Sequence, residues 1–382
     1  MKTTRTTTNR RTRAPTNSPH LAVIVAVMLF ATGVARAPAA TISTADPNLL
    51  AGLSPYTWVR TTAGIGTAVC GGSLTVGLKG TQRVVLRVDT GHLVLPSALR
   101  YPILAWTVNG GAERTHQLAA GESSVTLASD VADPVIDLYV KGMSPFEDRF
   151  TGERPLNSVW ITGLEVDDGA VTVAVSRPER IWLSIGDSIT SGDGAAYAEK
   201  QGRPHNDRWA ESDDARASYA WLLAKHYGYR ESRLAYGGYN WKGGLARIPA
   251  LPTLVDQRTS TVSRLDDGLL RPVPDVVVVN LGTNGRPTKQ EVVDSLVAIR
   301  RRAGPQARLV VMVPVSGAAR AEVADGFKAY GESSGDALAS LVDLGKLQFA
   351  TADGVHPTAA GHRQIFEAAV PSFDRILGPA SP

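Results

Sequence analysis

Apolar and polar residues alternate along the first half of the chain and gather into longer apolar runs along the second. Between about Thr41 and Val175, the runs Ser73–Lys79, Arg83–Asp89, Leu104–Val108, Ser124–Leu127 and Val135–Val140 place an apolar side chain at most second positions. Gly, Asn, Asp and Pro fill the gaps, as at Asn109-Gly110-Gly111. A period of two is that of a strand with one covered face. Many such strands without a helical period predict an antiparallel sandwich of the jelly-roll kind. Ser158–Thr162 and Ala170–Val175, joined through Asp167-Asp168-Gly169, are its last two expected strands.

Ser176–Arg180 breaks that pattern. Strand-like runs at 181–187, Ser232–Tyr236, Asp275–Leu281, Arg308–Val315 and Leu341–Leu344 then alternate with helical stretches at Ala217–His226, Lys289–Ala303, Arg320–Tyr330 and Pro357 to about Leu377. Val276–Asn280 and Leu309–Val313 are almost continuously apolar, as strands covered on both faces must be. Alternating strand and helix implies a parallel sheet with right-handed crossovers. The expected fold is therefore an all-β jelly-roll sandwich over 41–176 followed by an α/β domain with a parallel sheet over 181–378.

The N-terminus departs from both patterns. Lys2, Arg5, Arg10, Arg11 and Arg13 precede an apolar stretch, Leu21–Ala35, which leads into Ala35-Arg36-Ala37-Pro38-Ala39-Ala40. A basic start, a short apolar segment and small residues describe a secretory signal peptide over 1–40. The apolar stretch falls short of the roughly 20 residues that span a bilayer. The expected product is secreted or periplasmic, with no stable membrane insertion after cleavage and the export route left open. Removing the six basic residues of 1–40, which carries no acid, takes the formal net charge from +4 to −2. Nucleic-acid binding thereby loses its compositional support. Cys70 is the one cysteine, so no intramolecular disulfide can form.

Candidate chemistry sits where apolar runs end. Ile181–Ile185 stops abruptly at Gly186-Asp187-Ser188, as a buried strand does when a serine stands at its carboxyl edge. A serine needs a base and an oxyanion site to act as a nucleophile. Candidates follow in order: Gly237-Gly238, Gly282-Thr283-Asn284 and Asp353-Gly354-Val355-His356-Pro357. These four blocks resemble those of the SGNH (GDSL) hydrolases over residues 180–377. The two-part layout resembles carbohydrate esterase family 2, in which a jelly-roll precedes the SGNH domain and acetyl groups are removed from polysaccharides.

On this reading Ser188 is the nucleophile and His356 the base. Asp353 orients the imidazole, although some relatives use backbone carbonyls for that task. The Ser188 and Gly238 N–H groups and the Asn284 amide supply the oxyanion donors. Gly237 competes with Gly238, which is favoured because its six-residue spacing to Gly244 resembles the family's second block. Pro357 suits a first helical position, placing His356 at the helix cap. His362 is a rival base but falls inside the helix. Gly285 stands where family members often have Asp after the block-three asparagine.

Tyr239, Trp241 and Trp209 either present flat faces to a sugar or pack in the core. The polar segment 191–216 is either a loop bordering the site or a solvated insertion. Its His205, Asp207, Asp213 and Asp214 make no metal pattern, and the mechanism needs neither metal nor cofactor. The expected function is an exported serine esterase that removes small acyl groups, acetyl above all, from carbohydrate. A lipase or lysophospholipase on the same scaffold is one rival. A carbohydrate-binding protein with a vestigial hydrolase domain is another. The polysaccharide and the oligomeric state stay open.

Overall fold

The alternating first half folds into two antiparallel sheets facing one another, in a computed structural model that describes residues 39–380. One sheet orders its strands Trp58–Thr61, Gly64–Thr67, Val159–Asp167, Val84–Val88 and Ser124–Ala128, with Ala39–Ser43 also pairing to Val159–Asp167. The other runs Val171–Val173, Ser73–Lys79, Val135–Gly142, Ile103–Val108 and Arg114–Gln117. Inward residues such as Leu74, Val76, Leu86, Leu104, Leu138 and Leu164 make the core between them. Their alternation with outward residues is the period-two signal of the sequence.

The second half forms a five-stranded parallel sheet in the order Arg230–Ala235, Ile181–Gly186, Val276–Asn280, Arg308–Met312, Ala339–Val342. Successive residues point to opposite faces. Leu183, Ile185, Val277, Val279, Leu309 and Val311 enter one apolar cluster, whereas Trp182, Val276, Val278, Val310 and Met312 enter the other. Because helices cover both faces, neither residue set can be polar. Helix Lys289–Ala303 starts at a capping box in which Thr288 and Glu291 bond reciprocally. The chain order reverses beside Ile181–Gly186, and in such sheets functional groups collect at the carboxyl edge of that strand.

Several expectations are corrected. The last helix spans Ala359–Leu377 with Thr358 as its N-cap, so Pro357 lies outside it and His356 sits on the preceding loop rather than at the cap. The Thr358 hydroxyl accepts from Gly361 N–H and takes the capping place expected for His356. Two small hairpins between Gln257 and Leu270 and the helix Pro47–Gly52 lack a long periodic pattern and were not foreseen. The signal-peptide reading lies outside the described residues except at Ala39 and Ala40, which begin a strand paired with Asp167 and Val166. Among the described residues, no helix is long and apolar enough to cross a membrane.

Segment 191–216 is no free insertion. It is tied to the sandwich by Asp207–Arg100 at 2.8 Å, Asp214–Lys141 at 2.6 Å and Arg216–Asp137 at 2.7 Å. Trp209, Ala210, Ser212 and Asp213 are buried in it. It therefore links the two halves of the fold and closes one side of the carboxyl edge.

Candidate active site

Strand Ile181–Gly186 ends in one turn of helix, Ser188–Ser191. Asp187 caps that turn, its Oδ1 accepting from Ile189 N–H at 3.0 Å. Its other oxygen is buried and unpartnered, and burial pushes the Asp187 carboxyl up to about 6. Gly186 leaves room for the Thr190 side chain, whose hydroxyl bonds the Tyr219 hydroxyl at 2.8 Å. Buried Arg233, paired with Glu231 at 2.8 Å, donates to the carbonyls of Thr190 and Ser191 at 3.1 and 3.0 Å. These bonds hold the turn at both ends and fix the direction of Ser188.

The loop ahead of the last helix supplies the other groups. The Oδ1 atom of Asp353 accepts from the N–H groups of Val355 and His356 at 3.0 and 2.8 Å. Its Oδ2 faces His356 Nδ1 at 2.8 Å, and His356 Nε2 faces Ser188 Oγ at 3.0 Å. The loop is pinned by Ala352 N–H on the His356 carbonyl at 2.8 Å and Thr358 N–H on the Ala350 carbonyl at 3.0 Å. Ser188, His356 and Asp353 thus form one hydrogen-bonded chain.

Electrostatics follow from this placement. Burial alone would depress the His356 pKa, but the bond to Asp353 and the charges of Asp193, Asp353 and Asp187 outweigh it and raise the value. Burial opposes ionisation of Asp353, yet the His356 ring and two backbone N–H groups hold its carboxyl below the usual range. An acceptor-only carboxylate on Nδ1 leaves Nε2 free to accept the serine proton.

The other loops converge on the same edge. Gly238 has φ +69°, a left-handed conformation that a side chain disfavours, and it turns the chain after strand Arg230–Ala235. Asn284 Nδ2 donates to the Tyr239 carbonyl at 3.1 Å, which ties the block-three loop to the residue after Gly238. Asn240 Nδ2 returns the tie on the Asn284 carbonyl at 3.4 Å. Gly285 allows φ +156° at this point, where the side chain of Asn240 lies opposite.

Of the three aromatic candidates, two lie away from any open face. Tyr239 and Trp241 are 0% and 2% exposed inside the core, with Trp241 Nε1 bonded to the Leu281 carbonyl at 3.1 Å. The apolar bodies of these rings are worth more in the core than at a wet surface. Trp209 is buried too, but it stands edge-on to His356 at 5.5 Å. Its Nε1 reaches Asp193 Oδ2 at 3.3 Å. It serves as a wall of the site rather than a sugar platform.

Asp193 was missed by sequence reasoning. It is buried beside His356, and the equally buried Asp213 stands near it. Burial pushes both carboxyls up, and for Asp213 the Asp193 charge adds to the effect. Nothing local distinguishes Asp193 from a surface aspartate in the polar run that holds it. Gly194 was a usable signal, since a Cβ there would lie 2.7 Å from His356 Cβ. His362, the rival base, is fully buried, and its Nδ1 accepts from Tyr219 N–H at 3.3 Å. Among the described residues, no group of three or more His, Cys, Asp or Glu could hold a metal ion.

Residues 184–364 match the GDSL-like lipase/acylhydrolase family. The fold is similar to that of a family two carbohydrate esterase from Cellvibrio japonicus, with 18% identity, a TM-score of 0.72, and 89% of this chain and 98% of that one covered. It is also similar to an acetyl xylan esterase from the rumen bacterium Butyrivibrio proteoclasticus, with 18% identity, a TM-score of 0.69, and 89% and 99% covered. A family two carbohydrate esterase from Clostridium thermocellum, solved in complex with cellohexaose, has 20% identity and a TM-score of 0.62 over 85% and 99%. At these identities the likeness is one of fold. No curated protein matches the chain by sequence.

Proposed function

Because residues 184–364 belong to the GDSL-like lipase/acylhydrolase family, we propose that this chain is a serine esterase that removes small acyl groups, acetyl above all, from carbohydrate. The observation that carries the reading is the continuous chain from Ser188 Oγ through His356 to Asp353. Ser188 attacks the ester carbonyl while His356 Nε2 takes its proton, and the tetrahedral oxyanion forms beside the N–H groups of Ser188 and Gly238 and the Asn284 amide. His356 then returns the proton to the leaving alcohol, giving an acyl-enzyme. Water, deprotonated by the same imidazole, releases the acid. Asp353 holds the tautomer and stabilises the imidazolium of each step.

Small acyl groups are favoured because Ser188 is only 3% exposed and the His356 ring that faces it is closed in by Trp209 and the Gly194 turn. The cleft of about 470 Å³ that Val355 lines beside Thr283 is walled by Ser316, Gln348 and Thr351 as well as by Leu347 and Phe349, a mixed lining rather than an apolar groove for a fatty chain. Carbohydrate as the alcohol part is supported by the fold shared with carbohydrate esterases. Export is supported by the basic and apolar leader of 1–40.

The acyl-length profile tests this reading. With p-nitrophenyl esters, kcat/KM is expected to fall from acetate to longer acids, at about 1–3 kcal/mol per methylene once the pocket is full. Acetate is expected to be released from an acetylated polysaccharide. A kcat/KM that rises with chain length, with no acetate released from any acetylated glycan, would make the enzyme a lipase instead.

A further inference from the structure

At the edge of the sheet opposite Ser188, the seam between the sandwich and the parallel sheet opens into a cleft of about 400 Å³. Five arginines line it: Arg60, Arg177, Arg230, Arg258 and Arg271. The lining contains no aspartate or glutamate. Asp266 and Asp275, which act on Arg258 and on Tyr56, do so from outside it. Arg230 opens strand Arg230–Ala235 opposite Ile181, and Ser188 follows the other end of the paired strand. At about 3.3 Å per residue, the two sites are roughly 20 Å apart.

Arg177 donates to the Ala51 carbonyl, but the buried Nε atoms of Arg230 and Arg258 have no partner. Burial lowers the pKa of Arg177, Arg230 and Arg258, and Arg230 adds to the effect on Arg177. Half-buried cations of one sign, with donors unmet, oppose folding unless an anion completes them. Arg60 and Arg271 are exposed at the rim, where they can meet a ligand on entry. Leu50 and Leu53 add apolar surface beside the charges.

We propose that this cleft is a second binding site, separate from the ester-cleaving centre, for a carboxylate-bearing sugar of one or two units, such as a uronate in an acidic glycan. A guanidinium fork fits a carboxylate through two parallel hydrogen bonds, and the apolar flank suits the C–H face of a pyranose. The volume is that of a small-molecule site. The proposal does not rest on the esterase reading, because binding and turnover are measured separately.

The test is calorimetric titration of the purified protein with digalacturonate, its neutral methyl ester and inorganic phosphate. Digalacturonate is expected to bind saturably, at least about tenfold tighter than the methyl ester, and more weakly as salt rises. Phosphate is expected to compete with it. R230Q/R258Q should weaken digalacturonate binding by about tenfold or more while p-nitrophenyl acetate turnover stays at the wild-type rate. R60Q/R271Q, at exposed positions that do not bear on folding, should weaken it as well. Equal binding of acid and methyl ester, no saturation at millimolar digalacturonate, binding of phosphate alone, or binding untouched by both double variants would overturn the proposal.

Discussion

His356 and His362 stand six positions apart, one on the loop that ends at Thr358 and one in the helix that follows, and their surroundings are opposite. The loop histidine lies between a carboxylate and a serine hydroxyl. The helix histidine is stacked on Tyr219 at 6.2 Å, and its Nε2 has no partner. Negative neighbours outweigh burial and raise the pKa of the first. Burial, followed by the positive charges of Arg233 and His356, lowers that of the second to about 3. Residue type therefore settles nothing here. A histidine becomes a base when it faces an acceptor-only group and a proton donor, and becomes packing when it faces apolar walls.

Substitution separates the two most sharply. His356→Ala is expected to lower kcat by about 10⁴–10⁶ with the fold retained, whereas His362→Ala should cost stability and leave kcat near wild type. Steady-state rates with p-nitrophenyl acetate and thermal melts of both variants check the pair. The reverse ranking would move the base into the helix. Next in size, Asn284→Ala should lower kcat by roughly 10²–10³ with a smaller change in KM, because its amide acts on the developing oxyanion. An effect confined to KM would make Asn284 a substrate-binding group.

A smaller effect probes why His356 differs. Only neutral imidazole accepts the serine proton, so the raised pKa places the rising limb of kcat/KM above the ordinary histidine value of about 6.5. Asp353→Asn should move that limb to lower pH while also reducing kcat, though less than His356→Ala does, because Asp193 and Asp187 still act on the ring. A limb that does not move would remove Asp353 from the electrostatics of the site.

The smallest effect is one of stability, and its sign distinguishes the two rings. His362 binds a proton more readily in the unfolded chain, so its contribution is lost as pH falls from about 6.5 towards about 3, with a slope of at most about 1.4 kcal/mol per pH unit. His356 binds its proton more readily when folded, so its contribution is complete below the unfolded value and is lost as pH rises through its raised folded value. Denaturant titrations across pH should show the acid slope weakened in His362→Gln, and the loss of stability above about pH 6.5 reduced in His356→Gln.

Much of this contrast was legible beforehand. Three of the four blocks mark the carboxyl edge because each follows an apolar run, and Val276–Asn280 can only be a covered strand. The helical run places His362 within the last helix and leaves His356 ahead of it, where the structure has them. What stayed hidden depends on contacts between distant segments. Tyr239 and Trp241 carry the same rings whether they face water or the core, and only the packing of the hairpins and helix Lys289–Ala303 around them decides. Asp193 reads as one more polar residue until segment 191–216 is tied down by Arg100 and Lys141 and buries it beside His356. That Thr358 caps the helix, with Pro357 ahead of it rather than at its first position, was lost for a simpler reason. Both residue types suit a helix start, and the hydroxyl that meets Gly361 N–H is seen only in the fold.

The central claim is that Ser188, activated by His356, becomes acylated. Incubation with a fluorophosphonate at neutral pH, followed by peptide mass mapping, tests it most directly. A single adduct on Ser188, formed far more slowly in His356→Ala and at wild-type rate per active site in His362→Ala, is the result expected. An adduct on another residue, or full esterase activity in protein whose Ser188 is completely labelled, would contradict it.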